Sequence, residues 1–255
     1  MILWCDGAHD AAENMRRDVA LLAAAERGAE PVLRLFRFAP PGITLGRAQR
    51  PERELDLERC RAAGVSWAVR PTGGRAIYHD EEWTYSLAAP LGDPDWGGGL
   101  AEAYDRAARL LEASLARLGL PVAVAGGGAR GGLGPLGRGT AAPPCFASTA
   151  RHEIVLGGRK LVGSAQRRTA RALLQQGSVL LGPSHLRLAD FLAVPGPERA
   201  TIRSALERAS AHAGAWLEAS APLTRWADAL AAPLDPSARL DGEAGRFLLD
   251  ETRGG

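Results

Sequence analysis

Residues 152–168, HEIVLGGRKLVGSAQRR, set two adjacent glycines between an arm carrying Ile154, Val155 and Leu156 and an arm carrying Leu161 and Val162. Paired glycines supply the positive φ angles that a two-residue turn needs, so the stretch predicts a β-hairpin turning at Gly157-Gly158. A mostly apolar run, ALLQQGSVLL at 172–181, follows closely and predicts a further strand. Upstream, PVLRLFRF at 31–38 alternates apolar residues with Arg34 and Arg37, which suits a strand with one wet face ended by Pro40, Pro41 and Gly42. ITLG at 43–46 and VSWAVRP at 65–71 have the same strand-like character, and IYHDEEWTYSLA at 77–88 alternates enough in its second half to be another strand.

Helical periods separate these strands. Residues 11–25 place Met15, Val19, Leu22 and Ala23 on one face with an arginine pair opposite, and a polar helix around residues 55–63 carries Cys60. Residues 100–118 repeat Leu100, Tyr104, Ala107, Leu111, Leu115 and Leu118 near the helical period, with Gly119 and Pro121 as stop signals. From Pro183 onward two more helices are expected. Strands in the middle and helices toward the end predict an α+β architecture, a sheet with helices packed against it. At 255 residues with 46% hydrophobic side chains, a sizeable single core is within reach. The expected organisation is a catalytic core over residues 1–182 and a helical tail over 183–255 on the same domain. The glycine-rich tract at 126–139, GGGARGGLGPLGRG, is too long for a tight turn and reads either as a lid or as a disordered stretch.

Charge and cysteine content remove several functions. Net charge is +2 with both signs mixed along the chain, which argues against nucleic acid as a partner. No apolar run approaches the ~18 residues of a membrane span and the start lacks a leader-like pattern, so no membrane partner and a cytoplasmic location are expected. Cys5, Cys60 and Cys145 are an odd set without metal-ligand spacing, so neither a metal site nor a disulfide framework is expected.

Three segments carry candidate chemistry. In RPTGGRAIYHD, residues 70–80, the glycine pair reads either as a plain hairpin turn or as a place where backbone amides hold an anion or carbonyl. It is not a P-loop, because G-x-x-x-x-G-K-[ST] is absent. His79 and Asp80, beside a strand start, read as structural. Cys145 sits in the proline-led segment APPCFAS and is the best placed thiol for a nucleophile, which would need a nearby positive charge. Lys160 is the single lysine against thirty arginines. Either one lysine survived a compositional bias by chance, or the position needs a compact ammonium in a slot that a planar guanidinium does not fit.

Taken together, GITLGRAQ (42–49), RPTGGRAIYHDEEWTYSL (70–87), CFAS (145–148), GGRKLVGSAQRR (157–168) and LLQQGSVLL (173–181) resemble the lipoate-protein ligase A and octanoyltransferase family, and AENMRRDVALL (12–22) resembles its first helix. The resemblance implies the biotin/lipoate ligase fold, akin to class II aminoacyl-tRNA synthetases, with a mixed, mostly antiparallel sheet whose groove holds a medium-chain acyl group. It implies that Arg70, Thr72, Gly73, Gly74, Arg75 and His79 line the acyl site, that Lys160 contacts the acyl carbonyl, and that Gly163, Ser164 and Ala165 form the facing wall. Cys145 matches the nucleophile of the cysteine-type octanoyltransferases, and PTGGRA resembles their glycine motif more than the ligases' S-G-G-G-A. The implied reaction moves octanoate from acyl carrier protein, through a thioester on Cys145, to a lysine of a lipoyl carrier domain such as the glycine cleavage H protein or a dehydrogenase E2 subunit. It needs no cofactor. His79 and His152 are both open as proton acceptor.

Alternatives follow from the same resemblance. A ligase would use free lipoate, ATP and Mg; an amidotransferase would move octanoyl between carrier domains; a degenerate member would only bind a lipoyl carrier. Ala147 in place of a frequent acid, a single arginine in VRP, and the glycine tract depart from the transferase pattern.

Overall fold

The computed structural model describes residues 1–125 and 153–250. The glycine tract at 126–139, the Cys145 segment and His152 lie outside the described residues. The chain runs through β1 (Ile2–His9), α1 (Ala11–Glu26), β2 (Val32–Phe38), β3 (Gly42–Leu45), α2 (Pro51–Glu54), α3 (Leu57–Ala62), β4 (Ser66–Val69), β5 (Ile77–His79) and β6 (Glu82–Pro90). It continues with α4 (Leu100–Arg117), β7 (Val122–Val124), β8 (Ile154–Leu156), β9 (Arg159–Arg168) and β10 (Ala172–Leu180). A 3-10 helix (Pro183–Arg187) precedes α5 (Leu188–Phe191), α6 (Gly196–Ala209), α7 (Leu223–Leu234) and β11 (Ala238–Asp241), and a second 3-10 helix covers Gly242–Leu249.

Eight strands form one mixed sheet in the order β11-β1-β2-β6-β10-β9-β8-β7, and β4-β3-β5 form a small second sheet. The β1 pairings with β2 and β11 are parallel, whereas every pairing from β2 across to β7 is antiparallel. The β8–β9 hairpin turns at Gly157 and Gly158, with φ of 58° and 76°, and pairs Leu156 with Arg159 across the two-residue loop. The architecture is the expected α+β one.

Helices cover both faces of the large sheet. Leu111 and Leu115 of α4 and Trp226 and Leu230 of α7 pack with Leu3, Leu33, Leu35 and Trp83 from the strands, and Trp83 stacks on Trp226 with ring centroids 5.4 Å apart. On the opposite face, Leu21, Leu22 and Ala25 of α1 close over Ile2, Trp4 and Val32. The small sheet has its own core, where Ile43, Leu45 and Tyr78 meet Cys60 and Phe191.

Three sequence expectations change. The buried side of α1 is set by Asn14, Met15, Asp18 and Leu22, and Val19 points to solvent at 51% exposure. Polar Asp18 belongs inside because it meets Arg34: β2 has no wet face there, and Arg34 is fully buried between Asp6 (2.7 Å) and Asp18 (2.8 Å). The strand expected in the second half of IYHDEEWTYSLA is present as β6, and the short β5 precedes it. The end of the chain is not wholly helical, because β11 pairs in parallel with β1 and Trp4 donates its indole N–H to the Gly242 carbonyl at 2.8 Å.

Candidate active site

A cleft of about 450 Å³ lies where α1, the large sheet and the small sheet meet. Met15, Phe36, Phe38 and Ile77 make its walls apolar, while Thr44, Arg70, His79, Lys160 and Gln176 bring polar groups to it. That combination, an apolar cavity with a few placed polar groups, is the usual form of a small-molecule site.

Its floor comes from β9 and β10. Gly177 of β10 pairs with Tyr85 on one side and Ser164 on the other, and a methyl group added at Gly177 would lie 2.5 Å from the Tyr85 ring. Only a glycine lets the three strands approach there. The Tyr85 hydroxyl is bonded to Ser164 Oγ at 2.7 Å and accepts from Gln175 Nε2 at 3.0 Å, which fixes the Ser164 side chain; burial pushes the phenol's pKa up.

Lys160 reaches this cleft through an irregularity in β9. Val155 pairs with Lys160 but Ile154 pairs with Val162, so β9 carries an extra residue. A regular strand alternates faces with period two, which would put Lys160 and Gly163 on opposite sides. With the bulge, Leu161 and Val162 both enter the main core and Lys160 and Gly163 both line the cleft. Lys160 is 3% exposed, and its Nζ donates to Glu153 Oε1 on the residue preceding β8. The backbone behind it is tied down as well, with Ala211 N–H donating to the Lys160 carbonyl at 2.9 Å.

The glycine-pair loop is not a hairpin turn. β4 and β5 do not pair with one another; both flank β3, so residues 70–76 cross over the end of that strand. Gly74 takes φ of 92°, and a Cβ on Gly46 would strike the Gly74 carbonyl at 2.0 Å, so the two loops touch backbone to backbone. Arg70 staples this crossover from inside, donating to the carbonyls of Thr44 (3.1 Å), Gly73 (2.7 Å) and Arg75 (2.8 Å).

His79 is gripped on three sides. Nδ1 is 2.5 Å from Glu82 Oε1, Nε2 is 2.7 Å from Thr44 Oγ1, and the ring stacks on Phe38 with centroids 4.0 Å apart. The same Glu82 oxygen accepts from Thr84 Oγ1 (2.7 Å) and Ser178 Oγ (3.0 Å).

Of the residues singled out from sequence, the cleft brings together Arg70, His79, Lys160, Gly163, Ser164 and Ala165. Thr72 stands behind the wall, fully buried, with its hydroxyl donating to Gln176 Oε1 at 2.7 Å. Gln176 in turn donates to Asp18 at 2.5 Å, which ties the crossover loop to the buried Arg34. Gly73, Gly74 and Arg75 are also not among the lining residues, and Arg75 is 3.9 Å from Glu54. Cys145 lies outside the described residues. The other two thiols are poor nucleophiles, since burial pushes Cys5 up to about 11 and also raises Cys60. Sequence inspection missed Glu153, Glu82 and the apolar wall residues Met15, Phe36, Phe38 and Ile77; all are ordinary in their local patterns and become site residues only through tertiary contact.

A mixed sheet with helices on both faces and a buried lysine in an apolar cleft make this an α+β domain with a small-molecule site. The chain belongs to the lipoyl protein ligase A/B catalytic domain family, whose sequence profile matches residues 10–211. Curated relatives include the octanoyltransferase LipM of Moorella thermoacetica, 43% identical over 176 residues, and that of Symbiobacterium thermophilum, 40% identical over 171 residues. These alignments cover 69% and 66% of this chain, and the chain spans 63% and 61% of those relatives' lengths. Among solved structures, a chain of the bi-partite lipoate protein ligase and E2 lipoyl domain system of Thermoplasma acidophilum superposes with a TM-score of 0.69 at 21% identity, over 97% of this chain and 89% of its own. A lipoate-protein ligase A bound with ATP gives 0.64 at 21% identity, over 97% and 91%. Both share the fold. Among the described residues no helix is long and apolar enough to cross a membrane.

Proposed function

We propose that the chain is an octanoyltransferase that takes octanoate from acyl carrier protein and delivers it to a lysine of a lipoyl carrier domain, the glycine cleavage H protein or an E2 subunit. The Cys145 thiolate attacks the thioester carbonyl, the carrier thiolate leaves and takes a proton, and octanoyl remains on sulfur. The acceptor amine then attacks this second thioester, forming the amide and returning the thiol. Lys160, as an ammonium, and backbone amides near Ser164 or Gly73-Gly74 stabilise the oxyanion in both steps. Because a thioester is already activated, the transfer needs no ATP.

The observation that carries this reading is the cleft, whose apolar walls end at a buried ammonium. The relatives named octanoyltransferase, at 40% identity and above, favour transfer over ATP-dependent ligation. Both nitrogens of His79 are engaged by Thr44 and Glu82, so its part is to hold the wall rather than to move the proton.

Intact mass spectrometry tests the proposal. The protein mixed with octanoyl acyl carrier protein, without ATP, is expected to gain one octanoyl group that Cys145→Ala abolishes and that the H protein then removes. Acceptor modification that requires free lipoate and ATP and survives Cys145→Ala would replace this reading with that of a ligase.

A further inference from the structure

We infer that Glu153 is the positioning residue that holds Lys160 as an ammonium against the wall of the cleft. Glu153 immediately precedes β8 and Lys160 is the second residue of β9, so both belong to one hairpin. Val155 pairs with Lys160 across the hairpin and Glu153 stands two residues before Val155, so strand alternation puts the two side chains on one face. Both ends of the ion pair are withdrawn from water, with side-chain exposures of 4% for Lys160 and 9% for Glu153. The Glu153 backbone is pinned too, its carbonyl accepting from Ala125 N–H at 2.7 Å.

The surroundings favour a carboxylate at this place. Arg70 and His79 also line the cleft, so an ammonium there meets cationic or basic neighbours. Glu82, the carboxylate behind His79, gives one oxygen to His79, Thr84 and Ser178. On the other side of the Lys160 backbone, Ser210 carries the hydroxyl that meets His185 Nε2 at 2.7 Å, and burial pushes His185 down to about 4, so that element presents a neutral imidazole. Burial alone disfavours a charged amine, and a carboxylate in hydrogen-bond contact restores it. An arginine at 160 would reach past the same carboxylate with a planar fork, which accounts for the one lysine in an arginine-rich chain.

The inference deepens the proposed function and rests on it for its catalytic meaning, yet the pair is measurable without turnover. Because Lys160 is the only lysine, protein grown with lysine carbon-13 labelled at Cε gives one side-chain signal to titrate. In Glu153→Gln the midpoint of that titration is expected about one pH unit or more below that of the unsubstituted protein. Octanoyl transfer is expected to fall about tenfold to a hundredfold in kcat, with its alkaline limb displaced by the same interval. Glu153→Asp, which keeps the charge but shortens the arm, is expected to lie between the two, and it carries the test if the glutamine variant fails to fold. An unchanged midpoint in a folded variant overturns the inference, whether or not transfer occurs. A lowered midpoint in a protein that forms no octanoyl adduct leaves Glu153 in its role and removes the proposed function instead.

Discussion

At the scale of single residues, burial decides protonation. His185 is enclosed by Gly182 and Ser210, and its imidazole drops from 6.5 to about 4. The unfolded chain then binds a proton between those values that the folded chain refuses, so stability rises with pH across the window and is lost as pH falls from about 6.5 toward 4. Urea unfolding at pH 7 and pH 5 is expected to differ by about 2 kcal/mol more in the natural protein than in His185→Gln. Equal slopes in the two would show that water reaches the ring. The same scale explains what sequence could not reveal. Arg34 alternates with apolar neighbours as a wet-face residue would, yet Asp6 and Asp18 compensate it in the interior. Alternation records side, not solvent.

Elements were legible where the chain punctuates itself. Gly157-Gly158 announces the β8–β9 hairpin, and α4 matches its leucine period to within a residue of Arg117. β1 and β11 were not legible: β1 is interrupted by a register shift between Cys5 and Gly7, and β11 is four residues of which two are exposed. Half of the site was hidden for a related reason. Lys160 stood out by composition, but its partner Glu153 is recognised only once the register that pairs Val155 with Lys160 is known, and Gly163 joins Lys160 at the cleft only through the bulge between them. Packing between elements also yields a prediction. In Gly177→Ala the new methyl group meets the Tyr85 ring at 2.5 Å, the Gly163 carbonyl at 2.8 Å and Ser164 Oγ at 2.8 Å. The variant is expected to lose about 1–3 kcal/mol in urea unfolding, because the floor strands must part. An unchanged midpoint would mean that β9 yields without cost.

For the whole molecule, the last described strand seals the sheet beside the first. β11 covers the β1 edge, Gly242 accepts from the Trp4 indole, and a Cβ at Gly245 would lie 2.3 Å from that ring, so residues 238–249 are a lid on the Trp4 core. Removal of residues 237–255 is expected to lower Tm by at least about 5 °C and to raise acrylamide quenching of tryptophan fluorescence, since a buried indole N–H loses its acceptor. Unaltered quenching would show that another segment covers Trp4. The burial of the single lysine has a broader outcome. In the transfer proposed, a reactive acyl thioester is carried by a protein whose surface offers no lysine amine at all, because its one side-chain amine is sequestered in an ion pair. Arginine keeps the exterior charged while remaining far less open to acylation than an amine, so a transferase of the kind proposed would have no lysine of its own exposed to be marked.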